Sequence, residues 1–431
     1  MLPLPEHPLR HRLNAELHSR PPIAIPGPEW ISYLAVTHTG SSSDDEQKHL
    51  AGLCSMLGSG LCPLVEGEHW VLDAGALRLK WERHTEFSSY TFFRRRVAGD
   101  TPETTALDAF PADWITGIPG AVVAASHIEL CAAAQNPPEE VLEGITRAGT
   151  GLVATRVADG AAWLMSDFRL HDGFSRYTII DKHLRHRQAG RTVQRILEIE
   201  TYCMMALLAF PVAKDVGRFL GEREKELSNL MDEMSVAGTP EDERSLLASL
   251  TRLAAAVEQS ATRTAYRFGA AAAYYRLVQQ RVEDLREQRL DGYPPIREFM
   301  ERRLAPAMAT CESIAHRQSD LSTRIARKSA LLRTRVDIEL ERQNQELLAQ
   351  MNRRARLQMR LQETVEGLSV VAITYYGSQL VQYLAKGLNK AAFPGLSPEI
   401  AAALSIPVIA LVVALGIRRM RKVLAAEERA G

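Results

Sequence analysis

Two stretches near the C-terminus, residues 367–385 and 400–417, carry no charged side chain. Lipid offers a bare backbone no hydrogen-bond partner, so an uncharged run of this length crosses a bilayer as a helix. At 1.5 Å rise per residue the first run spans about 29 Å, close to the thickness of a hydrocarbon core. With the short segment 386–399 between them, the two runs read as a transmembrane hairpin. Arg353, Arg354, Arg356 and Arg360 precede the pair, and Arg418, Arg419, Arg421 and Lys422 follow it. Flanking cations stay on the cytoplasmic side, so both termini are expected inside and the connecting loop outside. Lys386 and Lys390 in that loop are outvoted by the two basic collars. Residues 1–20 alternate proline, histidine and arginine and hold no apolar core of the kind a signal peptide needs. The mass ahead of the spans is therefore expected in the cytoplasm.

Across all 431 residues, 52 Lys+Arg balance 52 Asp+Glu, so no overall field draws the chain to nucleic acid. The five cysteines, Cys54, Cys62, Cys131, Cys203 and Cys311, are odd in number and form no C-x-x-C pair. They are expected as reduced, buried thiols.

Residues 1–180 read as a mixed α/β or α+β domain. A short helix at 9–17 stops before Pro21-Pro22. Strands are expected at 31–37, 70–73, 76–84, 88–95 and 121–130, helices at 46–57 and 137–145. A hairpin at 152–168 turns at Ala158-Asp159-Gly160. The short strands mixed with helices favour a small sheet. From Asp181, proline and glycine thin out and long helices follow. One runs to Ser235 with a kink at Pro211. A second starts at Thr239-Pro240 and ends near Gly292. A third starts at Pro294-Pro295, bends at Pro306 and continues into the first span. Leu321, Ile325, Leu332, Val336, Leu340, Leu347 and Met351 form an irregular apolar stripe on it, the mark of a packed stalk with coiled-coil character. The apolar run 202–213, flanked by Glu198, Glu200, Lys214 and Asp215, reads as a buried core helix, being too short to span. The resulting division is an α/β domain at 1–180, a stalk at 181–366, spans at 367–386 and 399–417, an outer loop at 387–398 and a basic tail at 418–431.

No phosphate loop, H-E-x-x-H pair or nucleophile elbow occurs, so no enzymatic layout emerges. Glu82, His84 and Glu86 alternate along one strand and would share a face, a set able to hold a divalent cation if no turn intervenes; an ion-paired polar face is the other reading. Residues 190–200 load polar groups onto a helix, with Gln194 and Glu198 one turn apart. Docking of helix on sheet or an anion site would each use them. In the first span Thr374, Ser378 and Gln382 stack along one face, as the lining of an ion pathway or as hydrogen-bonding contacts between helices.

The loop reads Gly387-Leu388-Asn389-Lys390-Ala391-Ala392-Phe393-Pro394. It resembles the outer loop of the CorA-type magnesium channel superfamily, whose Gly-Met-Asn signature is followed after four residues by proline. Gly387, Asn389 and Pro394 match in spacing, Leu388 stands in place of the methionine, and Lys390 adds a positive charge at the pore mouth. That resemblance implies a CorA-like architecture: a cytoplasmic α/β domain, a stalk helix, two C-terminal spans and a homo-oligomer, with Gly387 and Asn389 at the ion entrance and a divalent cation such as magnesium as cargo. The soluble part is similar to a family of uncharacterised bacterial membrane-anchored proteins. His7-Pro8-Leu9-Arg10, residues 16–22, Trp81 to Phe87, and residues 190–200 with 205–208 carry this likeness, which implies the bacterial inner membrane and no assigned reaction. Two functions stay open: a cation channel or its non-conducting relative, and a tethered scaffold that binds a partner protein or an anionic lipid surface.

Overall fold

The computed structural model describes residues 6–17, 21–38, 40, 42–57, 67–133, 151–391 and 397–427. The chain divides into two compact units, one of residues 1–237 with 245–329, the other of 238–244 with 330–431. The boundary expected at residue 180 thus falls inside the first unit, where sheet and helices share one core.

The first unit is built on a nine-stranded sheet in the order β2-β3-β4-β1-β5-β8-β7-β6-β9, larger than the small sheet expected. Its strands are β1 (Glu29–Thr37), β2 (His69–Asp73), β3 (Leu77–Arg83), β4 (Phe87–Arg95), β5 (Ala121–Ala132), β6 (Val153–Val157), β7 (Ala162–His171), β8 (Phe174–Asp181) and β9 (Gln288–Arg289). All neighbours are antiparallel except β5 with β8. β8, a stretch of the expected α/β domain to which the sequence assigns no element, supplies the strand that pairs with β5. The expected helix at 137–145 lies outside the described residues.

Period-two alternation sends successive side chains of β1 to opposite faces. Trp30, Leu34 and Val36 join one core with Trp70, Trp81, Tyr90 and Phe92. Ile31, Tyr33 and Ala35 join the other with Ile128, Val193 and Ile196. The first core is closed by the helix α2 (Ser43–Met56), through Leu50 and Leu53, and by the short α3 (Ala112–Thr116), through Trp114. The opening helix α1 spans Arg10–Leu17. A capping box starts α2: the Ser42 hydroxyl accepts from the Asp45 N–H at 3.2 Å, and the Asp45 carboxylate accepts from the Ser42 N–H at 3.0 Å.

The second face is covered by α4 (His186–Leu207), α5 (Ala209–Val236), α6 (Pro240–Asp284) and α7 (Ile296–Arg303). The kink expected at Pro211 is a break at Leu208, which places the proline in the first turn of α5, where its missing N–H costs nothing. Thr239 caps α6 by accepting from the Asp242 N–H. α6 stops at Asp284, short of Gly292, because β9 takes up the next residues. The bend expected at Pro306 is a break at Leu304, after which α8 (Ala305–Ala391) runs unbroken for 87 residues.

In the second unit, α8 is followed by α9 (Pro398–Glu427). The loop expected from Lys386 onward is corrected here: residues 386–391 are helical. None of Leu388, Asn389, Lys390 and Ala391 breaks a helix, and one glycine costs only about 1 kcal/mol. A Cβ at Gly377 would meet the Ile409 side chain at 3.1 Å, so the two helices meet closely there. Along the stalk stripe Leu321, Ile325 and Leu332 are buried, whereas Leu340, Leu347 and Met351 are exposed.

Three of the thiols, Cys131, Cys203 and Cys311, are free and buried, as expected. Cys54 departs from the expectation, being disulfide-bonded. Spacing alone carries no sign of such a bond between cysteines that form no motif.

Candidate functional site

On β3 the charged residues Arg78, Lys80 and Glu82 point to one face and Leu79 and Trp81 to the other. The charged face is not solvated. Helix α4 lies over it, leaving Lys80 5 % and Glu82 8 % exposed. Lys80 is registered opposite Thr91 and Glu82 opposite Ser89 on β4, and Thr91 opposite Tyr33 on β1. A band of polar groups thus crosses three strands beneath a helix, within a face otherwise lined by Ile31, Ala35, Phe87 and Phe93.

Helix and sheet do not close fully over this band. A cavity of about 300 Å³ remains, with Lys80, Glu82, Ser89 and Thr91 on its sheet wall and Gln194, Glu198, Thr201 and Tyr202 on its α4 wall. Arg281 reaches in from α6. The Lys80 ammonium stands 2.9 Å from Glu82 Oε1. Gln194 donates to Glu198 at 2.8 Å, which realises the expected one-turn pair, and Arg281 donates to the other Glu198 oxygen. Burial alone would lower the Arg281 guanidinium, but the charge and hydrogen bond of Glu198 outweigh it and hold the group above its ordinary value. Burial raises the Tyr33 phenol, whose oxygen accepts from the Thr201 hydroxyl at 2.8 Å.

Two acceptors in this cavity have no hydrogen bond. Glu82 Oε1 and Gln194 Oε1 are both buried and have no hydrogen-bond partner among the described residues. For Glu82 the neighbouring ammonium is within ion-pair reach but out of hydrogen-bond alignment, so the charge is balanced while the lone pairs stay unused.

The residues expected to hold a metal part company. The strand ends at Arg83, and His84 begins a tight turn closed by a 2.8 Å bond from its N–H to the Phe87 carbonyl. Glu82 stays in the cavity with Lys80. His84 stacks on Phe87 at 4.4 Å. Glu86 swings to α6, where Arg267 grips it with two nitrogens at 2.9 and 3.2 Å. Among the described residues no group of three or more His, Cys, Asp or Glu side chains converges on a metal position. A strand alternation interrupted by a turn cannot keep three side chains on one face. The anion site weighed for residues 190–200 fares no better, since Glu198 lies among its cations.

In the second unit Thr374 and Ser378 are buried on the face that Gly377 turns to Ile409. Their hydroxyls donate back to the Val370 and Tyr375 carbonyls at 2.7 and 2.8 Å. Gln382 is half-buried and Gly387 exposed, while Asn389 belongs to the last turn of α8.

A family profile described as "Protein of unknown function (DUF3422)" matches residues 5–424. The chain belongs to the DUF3422 family. No curated protein matches this DUF3422 chain. Two of its helical segments are long and apolar enough to cross a membrane by length and composition. The first, His186–Val236, is mostly buried and forms the α4–α5 core layer, as the reading of residues 202–213 required. The second, Pro398–Met420, has none of its apolar window buried. α8 falls short of the same measure, because Thr374, Ser378, Gln379 and Gln382 dilute residues 367–385. One apolar C-terminal helix therefore stands as the sign of membrane anchoring.

Lys80, Tyr33 and Arg281 were not singled out from the sequence. The signal for Lys80 was present in residues 77–83, where charged and apolar residues alternate. Alternation reports that one face is polar and is silent on what covers that face.

Proposed function

We propose that this chain is a membrane-tethered, non-conducting scaffold that carries its α/β unit at the cytoplasmic surface of a bacterial inner membrane and rests on anionic lipid. The observation that carries the reading is α9, whose apolar window has no residue buried. An uncovered helix of that composition has a natural solvent in hydrocarbon. The end of α8 supplies the second leg of a hairpin, packed through Gly377 and Ile409 as small-residue contacts between membrane helices are. Arg353, Arg354, Arg356 and Arg360 are all exposed on the approach to it. Each cation held near an anionic leaflet contributes about 1 kcal/mol.

The competing reading is a CorA-type homo-oligomer passing a divalent cation along Thr374, Ser378, Gln382, Gly387 and Asn389. What favours the tether is the direction of the first two hydroxyls, which face the hairpin and are satisfied by their own helix. Lys390 opposes cation entry by its charge. The test has two arms. After alkaline carbonate washing of membranes, the full chain is expected to stay in the pellet; release into the supernatant overturns the anchor. In liposomes loaded with a magnesium-sensitive dye, no flux above empty vesicles is expected; flux that falls in Asn389→Ala overturns the non-conducting assignment.

A further inference from the structure

We propose that the cavity between the polar band of β3–β4 and helix α4 binds a small, uncharged, polyhydroxylated molecule of about monosaccharide size. The inference is independent of the membrane reading.

The argument begins with cost. A lysine and a glutamate in a protein interior are each expensive to desolvate, and well-packed apolar side chains in their place are commonly neutral or stabilising. Here the pair lines an open space of about 300 Å³, at the lower end of the volumes that hold small molecules, roughly 300–1,000 Å³. The Lys80 ammonium has three donors and the described residues bring it one ion-pair partner. Among the described residues, Glu82 Oε1 and Gln194 Oε1 have no aligned hydrogen-bond donor. The site therefore calls for a guest that both gives and receives hydrogen bonds.

Charge narrows the class. Lys80 and Arg281 are balanced by Glu82 and Glu198, each cation against its own carboxylate. An anion would meet two carboxylates and a cation two basic groups. A zwitterion would have to displace both ion pairs. An uncharged hydroxyl meets neither penalty, since one group donates and accepts at once. Two neighbouring hydroxyls on one ring stand about a hydrogen-bond length apart. They match Lys80 Nζ and Glu82 Oε1, 2.9 Å apart, with one accepting and the other donating. Further hydroxyls reach Gln194 Oε1, Ser89 and Thr91. Phe87 on the sheet wall and Tyr202 on the α4 wall offer apolar surface to the C–H face of such a ring.

The test is titration calorimetry on the full chain in a detergent without a sugar headgroup. D-glucose, D-ribose and myo-inositol are the probes, with glycine, L-glutamate and magnesium chloride as controls. Saturable heat is expected from at least one polyol and from none of the controls. A Lys80→Met/Glu82→Leu double variant removes both charges together, should keep its melting transition, and should bind at least about tenfold more weakly. Gln194→Ala, on the opposite wall, should weaken binding in the same direction and serves if the double variant does not fold. No saturable heat from any polyol, undiminished binding in the variants, or saturable binding of an amino acid or magnesium instead would each overturn the proposal.

Discussion

His127 shows how much a single buried side chain can report. It sits on β5, stacked on Phe174 at 4.0 Å and 2.8 Å from the Ser32 hydroxyl, which also accepts from the Ala106 N–H. Burial, reinforced by the charge of Arg176 and opposed by Asp108, brings its imidazole down to about 4. The depressed value means that the folded state prefers the neutral ring. Its contribution is present in full above the unfolded value of about 6.5 and is lost as pH falls toward 4. Between pH 7 and pH 5 the protein should lose about 2 kcal/mol through this group. Denaturant midpoints at the two pH values measure it, and His127→Gln should flatten the difference. The same scale explains why the metal triad was legible only in part. Glu82, His84 and Glu86 have the right types and spacing, but the turn beginning at His84 is set by the Phe87 carbonyl, a backbone contact that side-chain pattern does not encode.

At the scale of elements, the join between the segment before β1 and helix α4 is unusually close. A Cβ at Gly190 would lie 1.8 Å from the Ile23 carbonyl oxygen, and the Ile25 N–H donates to the His186 carbonyl at 3.0 Å. Both obstacles are backbone, so neither can rotate away. Gly190→Ala should destabilise the unit by about 2–3 kcal/mol. Gly221→Ala, in α5 with open space around it, should stabilise it by about 0.5–1 kcal/mol. Thermal melts of the two variants against the parent distinguish contact from propensity. Strands β1 to β7 were readable because alternation and turn residues coincide there, as between β6 and β7 at Ala158-Asp159-Gly160, where all three residues adopt positive φ. β8 was not, because its alternation over Phe174 to Asp181 runs straight into a helical composition. The cavity was not, because it depends on α4 crossing β3, residues more than a hundred positions apart.

Across the whole molecule, the cysteines offer a check on where the first unit resides. Among the described residues Cys131, Cys203 and Cys311 lie outside any disulfide and Cys54 is disulfide-bonded. Alkylation of the denatured, unreduced protein should tag Cys131, Cys203 and Cys311 but not Cys54, and prior reduction should add Cys54, as mass spectrometry of the peptides would show. Disulfides persist where thiols are not kept reduced, whereas the arginine collars favour the cytoplasmic side. A tag on Cys54 without reductant would remove this tension in favour of the collars. The sheet carries a consequence of another kind. Gln288 and Arg289 pair with Arg156 and Thr155, tying the chain beyond α6 back to a strand 133 residues earlier. Loop-closure entropy grows only with the logarithm of length, so a clasp this long costs little more than one half its span. Everything between the two fastened points, α4 and α6 included, is closed into a loop while the clasp holds, so its ends stay together even when a helix within it opens.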